Sequence, residues 1–167
     1  MRLALHQLIL ARWTDAIHDE WIEAVLRDRS DLTRERLQRT RELMDLHAEG
    51  SLVTGYERRM HDLELPDVDD RHVLAAAIEA EAGMILIRNL RDFPAAVLAS
   101  HGLRAATPDK LLTGLIEDHR NKMVAVLREA RLSLRQPPLT AVEYLATLGY
   151  QGLTRTCALL ENSLPEL

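Results

Sequence analysis

The chain of 167 residues fits one domain, or one domain with a helical appendage, and at 47% hydrophobic it can bury a real core. Its net charge of -5 excludes phosphate binding by the whole surface, because such affinity sums many Lys and Arg contacts, so any nucleic-acid contact is local. Only 4% of residues are aromatic, and a lone cysteine, Cys157, allows neither an internal disulfide nor a Cys/His zinc set, which favours a helix-rich α or α/β protein packed by aliphatic side chains.

From the amino end, Leu3, Leu5, Leu8 and Ile9 suit the inner side of a short helix. The stretch Met1 to Ala11 is too short to span a bilayer and lacks the basic region and cleavage site of a signal peptide, so the expected location is cytoplasmic, with no membrane partner. From Asp15 to Arg27, Ile17, Trp21 and Val25 recur every fourth position and are joined by Ile22 and Leu26, which predicts a helix with one buried face and Glu20 at its margin. Ser30-Asp31-Leu32-Thr33 offers capping side chains for a helix through about His47, with Leu37, Leu43 and Met44 inward, and Gly50 ends it.

Ser51 to Thr54 reads as a short strand, followed by a polar loop to Leu65-Pro66. Asp69 or Asp70 then caps a helix through Ala82 that Gly83 stops. Met84-Ile85-Leu86-Ile87 is an all-apolar run of strand length, the pattern of a strand covered on both faces. After a polar turn from Asn89 to Phe93, Pro94 opens a helix to about Ser100, Leu103 to Ala106 is a further short strand, and Thr107-Pro108-Asp109 starts another helix. Strand, helix and strand with short connections imply parallel pairing in a doubly wound sheet, where chemistry collects at the strands' carboxyl ends.

Beyond Leu115 the pattern is helical until Gln136-Pro137-Pro138. Thr140 with Glu143 makes a capping box for a helix from Ala141 to Leu148, and Gly149 and Gly152 bracket the turn into a last helix near Leu153 to Glu161.

The acids are unevenly spread: Asp67, Asp69 and Asp70 crowd beside Glu64. Asp70 opens one helix, Asp92 follows the strand Met84 to Ile87, and Glu20 lies on an early helix. Carboxylates in such positions suit a hard cation such as Mg²⁺, which uses few protein ligands and keeps waters and substrate phosphate in its other positions.

The run Asp69-Asp70-Arg71-His72-Val73-Leu74-Ala75-Ala76-Ala77, followed by Gly83-Met84-Ile85-Leu86-Ile87-Arg88-Asn89-Leu90-Arg91-Asp92-Phe93-Pro94 and by Leu103 to Leu111, resembles the signature of the PIN-domain family, the magnesium-dependent ribonuclease fold of VapC-type toxins. Arg12 to Trp21 is similar to that family's second motif, in which a helix carries a metal-coordinating glutamate at the position of Glu20. The resemblance implies a helix-rich, PIN-like three-layer α/β fold with a short parallel sheet over residues 1–114 and a C-terminal helical extension over residues 115–167. It further implies that Glu20, Asp70 and Asp92, with Asn89 as a neutral ligand, hold Mg²⁺ or Mn²⁺ that activates water against an RNA phosphodiester. The implied partners are RNA, an antitoxin protein and a second copy of the chain.

The sequence departs from the pattern twice. It has no counterpart of the first strand ending in Asp, so the fold is expected to be incomplete at the N-terminus, through either a start annotated too far downstream or a rearranged or dimeric fold. The turn after the strand carries Ile87, Arg88 and Asn89 where the family usually places Thr or Ser and often an acid. These departures leave open a catalytically defective PIN relative that acts as a protein-binding or dimerisation module.

Each acid also has a purely structural reading. Asp69 or Asp70 can be a helix cap, Asp92 can begin the helix after Pro94, and Glu20 can be a solvated helix acid. His18, His47, His61, His72, His101 and His119 show no metal spacing and read as surface or capping residues. Arg120, Lys122, Arg128, Arg131 and Arg135 form either a solvated helix face or a basic stripe for RNA phosphates. Leu145, Leu148, Leu159 and Leu160 either dock on the core or bind a partner helix.

Overall fold

A computed structural model describes residues 1–135 and 137–167; Gln136, where the expected Gln136-Pro137-Pro138 break begins, lies outside them. The chain divides into two compact units. The first holds Leu3–Ile85 and Asn89–Ala105 with Met1, and the second holds Ala106–Leu167 and Leu86–Arg88 with Arg2.

In the first unit, a short helix α1 (Arg2–Leu5) precedes α2 (Asp15–Asp28). The buried Thr14 caps α2, its hydroxyl accepting the Ile17 amide at 3.1 Å. The inward seam of α2 is centred on His18 and Ile22 rather than on the Ile17, Trp21, Val25 row, because His18 has two indoles and a carboxylate to face inside the fold. Thr33 caps α3 (Arg34–His47), and Gly50 follows it in the left-handed region at φ 74°. Of the expected inward residues of α3, Leu37 is buried while Leu43 is exposed, so this helix meets the unit along a narrower stripe than its sequence suggests.

The expected strand Ser51 to Thr54 is reduced to one parallel bridge between Trp13 and Leu52. The expected loop after it contains a 3-10 helix, Tyr56–Asp62, whose Arg58 and Arg59 grip Glu79 of α4 (Arg71–Glu79) at 2.5 and 2.6 Å. Leu74, Ala75, Ala76 and Ala77 are all buried on α4, where three alanines in a row also favour the helix. The helix ends at Glu79, earlier than expected, and the left-handed residue that turns the chain is Glu81 at φ 49° rather than Gly83.

Strands β1 (Met84–Leu86) and β2 (Arg104–Ala106), flanking α5 (Ala95–Ser100), form a short two-stranded parallel sheet; the Ile87 amide donates to the Ala106 carbonyl at 3.0 Å. Ile85 is buried, whereas Leu86 is 50% exposed, so β1 is covered on one face and not, as its apolar run suggests, on both.

The second unit begins with the long helix α6 (Pro108–Leu132), capped by Thr107 and kinked at His119, where φ is -139° and ψ 44°. Ile116, Met123, Val124, Val126 and Leu127 bury its inner side against α7 (Ala141–Tyr150) and α8 (Thr154–Leu160). The capping box at α7 forms as read: the Glu143 amide donates to the Thr140 hydroxyl, and the Glu143 carboxylate accepts from the Thr140 amide. Among the described residues no helix is long and apolar enough to cross a membrane.

Candidate functional site

Asp70 stands at the N-cap of α4, but its side chain makes no capping hydrogen bond. Its carboxylate is therefore not spent on the helix end, which removes the ordinary structural reason for an acid there. Partial burial pushes the Asp70 carboxyl above its usual range, and the negative charges of Asp67, Asp92 and Glu20 push it further, with His72 opposing. Three elements of the first unit thus bring acids within electrostatic reach of Asp70: α2 carries Glu20, the segment before α4 carries Asp67, and the turn after β1 carries Asp92.

The other residues named from the sequence take definite positions. Asn89 donates from its amide nitrogen to Asp92 at 2.5 Å and accepts the Arg91 amide at 3.4 Å, so it meets the acids by holding Asp92 in place. Asp69 donates its amide to Asp67 at 2.9 Å, a local turn that fixes the approach to Asp70. Glu20 is exposed, and its carboxylate lies 2.8 Å from the imidazole Nε2 of His72.

His72 is the residue that sequence reasoning missed. Rather than sitting at the surface, it is 7% exposed on the inner side of α4, and neither ring nitrogen makes a well-aligned hydrogen bond. The 2.8 Å approach to Glu20 is close in distance but poorly directed, so it counts as an electrostatic contact. A sequence signal existed: His72 lies two positions after the acid and just before the apolar run Val73 to Ala77, of which Leu74 to Ala77 are buried.

Whether this group suits a divalent cation rests on its donors. Carboxylate oxygens are the ligands that Mg²⁺ and Mn²⁺ prefer, and acids that destabilise each other's charge are what a cation relieves. Among the described residues, no three His, Cys, Asp or Glu side chains already stand close enough to hold an ion. The donor chemistry and charge fit a hard cation; a closed coordination shell is not preformed.

The rest of the surface offers less chemistry. The second unit contains a groove of about 610 Å³ between α7 and α8, lined by apolar side chains with Thr154, Cys157 and Glu161. Burial, then Asp109 and Glu161, raise the Cys157 thiol, so it is a poor nucleophile and no active site is placed there. Two members of the basic stripe are structural: Arg120 donates to the Leu159 carbonyl and the Ser163 hydroxyl, both at 2.9 Å, and Arg131 donates to the carbonyls of Leu167 and Leu139 at 2.8 and 2.7 Å. Their guanidinium groups tie down the C-terminal segment.

The second unit also has a recognisable sequence. Residues 108–162 match the family model of the VapC50 C-terminal domain. Over 82 residues the chain is 34% identical to a protein of Mycobacterium tuberculosis (strain ATCC 25618 / H37Rv) named "Putative ribonuclease VapC50", the match covering 49% of this chain and 48% of the relative. The chain thus aligns with about half the length of the curated relative it matches. In these parts the chain is similar to VapC-type proteins. No solved structure matches the chain.

Proposed function

We propose that the chain is a PIN-like endoribonuclease, dependent on Mg²⁺ or Mn²⁺ and acting as the toxin of a toxin-antitoxin pair, with the PIN-like part at residues 1–114 and a helical extension at 115–167. The observation that carries this reading is the state of Asp70: an acid at a helix N-terminus that does not cap its helix and bears the repulsion of Asp67, Asp92 and Glu20. The likeness to a protein named a putative ribonuclease supports the substrate class.

In this reading Glu20, Asp70 and Asp92 hold the ion, and a bound divalent cation supplies activated water and charge neutralisation at an RNA phosphodiester. Asn89 keeps Asp92 in place through its amide. Burial around Asp70 lowers the local dielectric and so strengthens its attraction for a cation. An antitoxin, a second copy of the chain and a cytoplasmic location belong to the same proposal.

The experiment is cleavage of RNA by the purified chain with added Mn²⁺, compared with the Asp70→Ala variant. The expected outcome is metal-dependent cleavage that drops at least about 100-fold in the variant. Equal activity in the two proteins rules the site out.

A further inference from the structure

The cluster around Asp70 contains one buried group that no metal-ligand assignment uses, the imidazole of His72. It sits two positions after Asp70 on α4, 7% exposed, with both ring nitrogens lacking a hydrogen-bond partner among the described residues. Its Nε2 lies 2.8 Å from Oε1 of Glu20, whose side chain is otherwise 61% exposed. A long, exposed glutamate has several rotamers open to it, and fixing it costs side-chain entropy. The contact with His72 is the feature of the structure that draws the Glu20 carboxylate toward the helix carrying Asp70.

We propose that His72 is a positioning residue that holds the Glu20 carboxylate on the Asp70 side of the site, so that the two acids present their oxygens to one divalent cation. The inference rests on the reading of Glu20 and Asp70 as metal-holding acids and adds a residue that acts through Glu20. The imidazole itself touches neither cation nor substrate. A rigid, buried ring anchored on α4 suits the task, because carboxylates that bind metals are oriented by a second hydrogen-bonding partner, whose removal typically costs about 10–100-fold in metal affinity.

The test is calorimetric titration of the full chain with MnCl₂, without RNA, in the wild type and in H72L, H72N, H72Q, E20Q and the double variant E20Q/H72L, with circular dichroism melts to verify folding. The expected result is that H72L weakens Mn²⁺ binding about 10-fold or more. H72Q, whose amide nitrogen reaches Glu20, keeps most of the affinity, and in the E20Q background H72L changes it by no more than about twofold. If H72L fails to fold, H72N, a polar side chain too short to reach Oε1, stands in for it and is expected to lose affinity as H72L does. Wild-type affinity in H72L or H72N, or an equal loss in the E20Q background, overturns the positioning role while leaving the metal site intact. No Mn²⁺ binding by the wild type overturns the metal site itself, and the positioning role with it.

Discussion

Thr156 donates both its amide, at 2.9 Å, and its hydroxyl, at 2.7 Å, to one carboxyl oxygen of Asp109, a residue 47 positions earlier in the chain. The other carboxyl oxygen accepts the Arg155 amide at 3.1 Å. Helix α8 begins after Leu153, which has no side-chain acceptor, so Asp109 on the first turn of α6 caps α8 from a distance. Both residues fall inside the segment that matches the VapC50 C-terminal domain. Asp109→Ala leaves the fully buried Thr156 hydroxyl with only the Asp109 carbonyl, at 3.4 Å, as acceptor and removes the acceptors of the Thr156 and Arg155 amides, which should cost about 2 kcal/mol and lower the melting temperature by about 4–8 °C. An unchanged melting temperature would show that α8 does not depend on this cap.

The same cap has a pH signature. Burial raises the Asp109 carboxyl, but hydrogen bonds from the Thr156 amide and hydroxyl and the Arg155 amide outweigh it and hold the group below its ordinary value. A depressed carboxyl stabilises the fold when ionised. Its contribution is complete above the unfolded value near pH 3.9 and is lost as the pH falls through the lower folded value. The stability gap between the wild type and Asp109→Asn should therefore be widest above about pH 4 and narrow below it, as read from urea midpoints across that range.

Asp70 carries the opposite sign. Its carboxyl is raised, first by burial and then by Asp67, Asp92 and Glu20, so the protein is favoured by the protonated form and loses that advantage as the pH rises through the raised value. Asp70→Asn removes the charge and should stabilise the metal-free protein at neutral pH by about 0.5–1 kcal/mol, with the gain shrinking in acid as the wild-type carboxyl takes up its proton. The same variant should lose Mn²⁺ binding, the trade expected where a site stores unfavourable charge for function. Destabilisation by Asp70→Asn at neutral pH contradicts this balance.

His18 predicts a core effect with an optical readout. It is fully buried; its Nδ1 accepts the Trp21 indole N–H at 2.9 Å, and its Nε2 faces Asp45 at 3.1 Å, where the Trp13 indole also donates at 2.7 Å. His18→Leu leaves the Trp21 N–H and the Asp45 carboxylate short of a partner and should cost about 2–4 kcal/mol. Because Trp13 and Trp21 are the chain's two tryptophans, the change should also appear in the emission of the folded state. The wild-type spectrum and stability in this variant would mean that the network carries no strength.

Features set by neighbours in sequence were legible. The Thr140 and Glu143 box, the Thr107 start of α6, the Pro94 start of α5 and the two short strands all follow from signals a few residues wide. Features set by what covers a side chain were not: Leu86 and Leu43 read as interior yet face solvent, while His18 and His72 read as surface and lie inside. Periodicity shows which side of an element is apolar, not whether anything packs on it. At the candidate site, the acids Glu20, Asp70 and Asp92 were visible as residue types in motifs. Asp70's idle cap, Asn89's grip on Asp92 and the His72 contact depend on side-chain geometry.

The most direct measurement is a crystal of the chain soaked in MnCl₂ and recorded for the anomalous scattering of manganese. The expected result is a single strong peak bounded by the carboxylates of Glu20, Asp70 and Asp92. A peak bound elsewhere, or none at Mn²⁺ concentrations that support RNA cleavage, contradicts it.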